Sequence, residues 1–308
     1  LLQVQLNKFK HDSRASFLVL FIILLISVAL ATEETSGWAG LNLQQINIKR
    51  AGHIEDTQTF TLDTAKHGKR LISARLCAIG KHTFIWVDSK QPIPNKTLSL
   101  ILARFDNQIY SRNIEYFANS HVRKQVTRVD ILITNLGISD GYFDSGVLSG
   151  PSKLNLIYLD SDTVREELTE AYNTLAHEFA HLIYYKSGGA NIEWLDEGLA
   201  VYAEYINGGN PSYYISSFRK NPNIELTGRF INNDGSYGAA FLFITSAVEQ
   251  VKQSHNSVPQ FIQELITNSN HGKQGIDATM HKFISNPQLD SINEISFFIS
   301  SSYSSAAD

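Results

Sequence analysis

His177-Glu178-Phe179-Ala180-His181 is the stretch of this 308-residue chain whose residue types and spacing point most directly to chemistry. Side chains four residues apart lie on one face of a helix, so His177 and His181 can hold one Zn2+ between them. Glu178 projects beside the pair, placed to accept a proton from a water attacking a substrate. The plainer reading is a helix that carries two histidines and a glutamate with no metal. Against it stand the helical pattern around the motif and the acidic residues that follow.

Two imidazoles do not complete a zinc site; a catalytic zinc takes three protein ligands and keeps a further position open. A glycine three residues after His181 and a histidine six after it would complete H-E-x-x-H-x-x-G-x-x-H, but Tyr184 and Ser187 stand there. The segment WLDEGLAVYAE, with Glu197, supplies the carboxylate instead. The spacing lets the first helix finish, turn at Gly188-Gly189 and return antiparallel with Glu197 at the metal. Glu193 and Glu204 share that face, at i−4 and i+7, and compete for the role. Glu204 reads better as the acceptor for an imidazole N–H.

TLAHEFAHLIYY followed by WLDEGLAVYAEY resembles the gluzincin metallopeptidases, and most nearly the hyicolysin-type neutral zinc metallopeptidases, which are secreted bacterial enzymes. ISDGYFDSG and NLIYLDSD upstream, and GSYGAAFLFITSAVEQ downstream, are similar to that family's flanking blocks, so the resemblance spans residues 80–285. It implies a thermolysin-like zincin fold, zinc on His177, His181 and Glu197, and hydrolysis of protein or peptide substrates by a metal-activated water with Glu178 as general base. The G-x-M-E-N loop of the aminopeptidase branch does not occur, which favours an endopeptidase. In gluzincins a Tyr or His downstream of the ligands steadies the oxyanion, and Tyr237 is the candidate here. Ala180 stands where many relatives have Gln; it touches no ligand and bears only on substrate fit.

Helices and strands must place these residues. Val164, Leu168, Leu175, Phe179, Leu182 and Ile183 form an apolar stripe of helical period, opened by a Thr163-x-x-Glu166 capping box and closed by Gly188-Gly189. A second helix runs from Ile192 to Ile206 and stops at Gly208-Gly209. Upstream, Arg75–Asp88 reads as a hairpin turned at Gly80-Lys81, Asn95–Tyr110 as a helix, and Val129–Thr134 and Leu154–Asp160 as strands. Gly137–Ser152 is loop with at most one short strand, Gly141–Phe143, a candidate edge for a substrate backbone. Asp160-Ser161-Asp162 and Asn232–Gly235 read as turns and helix caps rather than calcium loops. Beyond Tyr237 helices are expected at Ala239–Lys252, Val258–Thr267, Ile276–Phe283 and Ile292–Ile299. Strands first and helices after give an α+β architecture: a mixed or antiparallel N-terminal sheet carrying the H-E-x-x-H helix, then a helical C-terminal part. Residues 32–75 read as an N-terminal region, open to a pro-segment role, 76–207 as the catalytic subdomain and 208–308 as a helical subdomain.

Lys8, Lys10 and Arg14 precede an apolar run from Phe17 to Val28 that ends in Ala29-Leu30-Ala31, the pattern of a secretory signal peptide over residues 1–31. The run is short for a bilayer span, so no stable membrane span is expected after cleavage, and the location is the medium or a bacterial cell surface. The chain starts at Leu1 rather than Met, which reads as a fragment of a longer sequence. Apolar residues at 43% and charged residues at 18% exclude a disordered chain, and a net charge of −4 argues against nucleic acid as a partner. One cysteine, Cys77, excludes a disulfide framework and reads as a buried thiol. The alternative function is a non-enzymatic surface adhesin or binding protein on a zincin scaffold. Such a protein could keep both histidines but has no use for Glu178.

Overall fold

The computed structural model describes residues 54–299 except 55, 65–67, 138, 147–153, 223, 225, 227–232, 287–288 and 297–298. The signal-peptide reading of residues 1–31 lies outside the described residues. Six strands form one mixed sheet: β1 (Thr57–Thr64), β2 (Gly68–Ile79), β3 (Thr83–Asp88), β4 (Val129–Thr134), β5 (Gly141–Phe143) and β6 (Leu156–Asp160). Their order is β1-β2-β3-β4-β6-β5, so the short β5 lies at one edge. β3, β4 and β6 are parallel neighbours, and the outer pairings are antiparallel. β4 is buried along its whole length, as suits a central parallel strand, and its buried Asp130 accepts from Trp86 Nε1 at 2.9 Å.

The chain between β3 and β4 is helical: α1 (Asn95–Arg104), a π turn (Phe105–Ile109), α2 (Tyr110–Phe117) and α3 (Ser120–Gln125). After β6 come α4 (Ser161–Glu166), α5 (Leu168–Lys186), α6 (Glu193–Ile206), α7 (Ser212–Lys220), α8 (Asp234–Gln253), α9 (Val258–Asn268) and α10 (Gly272–Phe283). Residues 292–296 are also helical. This is the α+β arrangement expected, with the helical part after the sheet.

Local chemistry departs from expectation at one helix start. The capping box at Thr163 does not form; Asp160 caps α4 by accepting from the backbone N–H groups of Asp162 (2.8 Å) and Thr163 (3.2 Å). The Thr163 hydroxyl donates to Asp140 instead, and the chain breaks at Glu167 before α5 begins. The anticipated single helix is therefore two. Asn233 likewise caps α8, bonding Ser236 N–H at 3.0 Å, so both acidic turns are caps.

The sheet separates two apolar layers. Ile85, Val87, Ile131, Ile133, Ile157 and Leu159 face the helices, while Trp86, Leu132, Leu156 and Tyr158 face away. The second layer is closed by the sheet itself, which curls until Phe60 packs edge-on against Trp86 at 5.4 Å and the Tyr158 hydroxyl donates to Thr61 O at 3.0 Å. A β-bulge between Leu76 and Ala78 is the joint: Leu76 faces the outer layer and Ala78 the inner, which a regular strand would not allow. Cys77, at the bulge, is half-buried. β2 also runs across residue 75, where the N-terminal region was expected to end.

Candidate metal centre

α5 lies against the sheet with Leu175, Phe179, Leu182 and Ile183 buried, which turns His177 and His181 to its other face. Gly188, at φ +73°, ends the turn after α5, and α6 returns antiparallel, as the sequence spacing required. Gly198 lets α6 seat closely on α8: a Cβ there would lie 2.9 Å from the Ala240 carbonyl oxygen. That seating brings Tyr237, in the first turn of α8, to the same cleft.

The histidines, Glu197 and Glu178 all line one cleft of about 760 Å3, within the roughly 300–1,000 Å3 usual for ligand sites. Glu197 Oε2 is 3.2 Å from His177 Nε2 and 3.6 Å from His181 Nε2. One donor atom from each residue lies within 4.8 Å of the others, so His177, His181 and Glu197 form a group that can hold a metal ion. Each imidazole is oriented from behind. His177 Nδ1–H donates to Glu204 Oε1 at 2.6 Å, and His181 Nδ1–H donates to Asp196 Oδ1 at 2.7 Å. A carboxylate only accepts, so these bonds keep a proton on each Nδ1 and leave both Nε2 atoms aimed at one point. Glu197 Oε2 is buried and has no hydrogen bond of good geometry. An orphaned carboxylate oxygen facing two Nε2 atoms is what a cation would satisfy, and an N,N,O donor set suits zinc.

The electrostatics follow from this crowding. Burial alone would lower His177, but the Glu197 and Glu204 carboxylates hold it up at about 10. His181 is raised in the same way against its burial by Asp196 and Glu197. Burial would raise Glu197, yet the two imidazoles hold it well below the ordinary carboxylate range. Glu178 is pushed up, chiefly by burial. It is 9% exposed and packs beneath β5, where a Cβ on Gly141 would lie 2.9 Å from Glu178 Cγ. The Tyr237 hydroxyl hydrogen-bonds the Glu197 carboxylate, and its ring lies 6.4 Å from that of His177.

All five candidate residues, His177, Glu178, His181, Glu197 and Tyr237, thus line one cleft. Glu204 takes the orienting place read for it, and Glu193 is exposed and outside the metal-ligating group. Asp196 was missed. The signal was present: two histidines each need an acceptor at Nδ1, and Asp196 is the carboxylate at the opposite end of the same helix from Glu204. His53 and His67 lie outside the described residues. Among the described residues no helix is long and apolar enough to cross a membrane. Neither a scan of protein-family models nor a search of curated proteins finds a match to this chain.

Proposed function

We propose that this chain is a zinc-dependent endopeptidase of the thermolysin-like zincin kind, exported by its N-terminal segment to the medium or a bacterial cell surface. The observation that carries the reading is the pair of Nε2 atoms and the orphaned Glu197 Oε2 facing one point, with the buried Glu178 carboxylate beside them. Zinc held by His177, His181 and Glu197 would supply Lewis acidity toward a scissile carbonyl and lower the pKa of a nearby water. Glu178 accepts the proton of the attacking water and delivers it to the leaving amine; burial raises its pKa, the direction that favours a group that must give a proton as well as take one. Tyr237 is placed to turn its hydroxyl from Glu197 toward a developing oxyanion. β5, at the sheet edge and lining the cleft, offers backbone groups to an extended peptide.

The test is incubation of zinc-loaded protein with an unfolded protein, with and without a chelator. Chelator-sensitive fragments are expected. Zinc binding with no hydrolysis of any unfolded protein or peptide library would support the adhesin reading instead.

A further inference from the structure

Behind the metal-ligating face, α5 and α6 are tied together by a chain of buried amides. Asn113, on α2, is fully buried, and its Nδ2 donates to the Ala176 carbonyl at 2.8 Å. Its Oδ1 accepts from Asn207 Nδ2 at 2.8 Å, and the same Asn207 Nδ2 donates to the Ala203 carbonyl at 2.8 Å. Ala176 immediately precedes His177, and Ala203 immediately precedes Glu204. The amides therefore grip both helices at the level where His177 meets Glu204 at 2.6 Å. The end of α6 is held further: Arg104 and Gln108 each donate to the Asn207 carbonyl at 2.8 Å, and Arg112 donates to the Ile206 carbonyl. Those three side chains come from α1, the π turn and α2, so one continuous helical segment anchors the ligand-bearing pair.

Packing alone does not call for these amides. Asn113 lies at 0% exposure on an element whose neighbours belong to the helical core, where an apolar residue would serve burial without the cost of desolvating an amide. What an amide adds is direction. Asn207 faces two acceptors, Asn113 Oδ1 and Ala203 O, so only its Nδ2 can point there, and this leaves its Oδ1 buried without a partner. A fold that tolerates an unpaired buried oxygen to keep this orientation is holding a geometry.

We propose that Asn113 and Asn207 are positioning residues of the metal centre, setting the α5–α6 spacing at which Glu204 holds His177 with Nε2 toward Glu197. The inference rests on the reading of this cleft as a metal site, not on hydrolysis. The experiment is zinc affinity of the metal-free full chain by chelator competition, with cobalt absorption as a second readout, for wild type, Asn113→Leu, Glu204→Gln and the double variant. Leu keeps the branching of Asn and loses its hydrogen bonds. Glu204→Gln should weaken zinc about 10–100-fold, and Asn113→Leu about tenfold, with an altered cobalt spectrum and a melting temperature no lower than wild type. Because both act through His177, the double variant should bind within about twofold of Glu204→Gln. Multiplying effects, or wild-type affinity in Asn113→Leu, would overturn the positioning role while leaving the metal site standing. No zinc binding by wild type would remove the metal site and this role together. Should Leu not fit the space, Asn113→Ala removes the same bonds without added bulk, and the same outcomes decide.

Discussion

At the residue scale the proposed site would divide its labour among carboxylates set apart by where their helices point them. Glu178→Gln keeps the shape and the helix but removes the proposed base. Hydrolysis should fall about 10²–10⁴-fold with zinc content unchanged, and wild-type rates at full zinc would sink the assignment. Protons also compete with the metal. With His177 held at about 10 and His181 raised, both imidazoles hold a proton more tightly in the metal-free chain than a free histidine does. Zinc takes them neutral, so binding should release protons and affinity should rise with pH, by about tenfold per unit near pH 7 for the proton on His177 alone. The sign is fixed by the raised values: affinity falls as pH falls, and a flat profile in chelator competition would show that the imidazoles start neutral. The motif, Glu197 and Glu204 were legible in sequence because helical spacing places them without reference to the rest of the chain. Asp196 lay within reach of the same antiparallel geometry, but only Glu204 was read as an acceptor although two imidazoles need two.

At the element scale, α6 and the end of α5 were readable to within a residue or two, since their apolar stripes and terminal glycines agree. The start of α5 was not. Asp160, at the end of β6, competes with Thr163 for the same backbone donors and wins, which splits one anticipated helix in two. α7 was missed because its nine residues, three of them aromatic and three of them serine, offer little more than two turns of pattern. β1 was missed as well. Its burial comes from the curl of the sheet, which no local pattern announces. This bears on the suggestion that residues 32–75 are a removable pro-segment. A chain beginning at residue 76 loses Phe60, Leu62 and Ile72 from the outer layer and bares Trp86, Leu132 and Tyr158. At about 1.5–3 kcal/mol per large apolar side chain, three losses come to roughly 5–9 kcal/mol, comparable with the whole stability of a domain. Fragment 76–308 should therefore be insoluble or lack a cooperative melt by circular dichroism. A melt matching the full chain would show that β1 is dispensable.

At the scale of the whole molecule, the candidate metal group would also be a clasp. Its ligands come from α5, which rests on the sheet, and α6, which rests on α8, so an ion there would join the sheet half to the helical half. Zinc at about a hundred times its dissociation constant should add about 2.7 kcal/mol, and hence raise the melting temperature by roughly 5–10 °C over the chelated protein. Equal melting temperatures with and without chelator would mean that no ion binds the folded chain in preference to the unfolded one. Export is the other proposal for the whole chain: protein recovered from the medium should begin at Thr32, and recovery only in membranes with residues 17–31 intact would favour an anchor.

The bulge in β2 has one more effect. Because the strand passes from the outer apolar layer at Leu76 to the inner one at Ala78, neither layer can come apart without pulling on a strand the other needs. The two halves of the interior are mechanically in series. Heat or denaturant should meet them as one cooperative unit, and amide exchange along β2 should slow on both sides of Cys77 together.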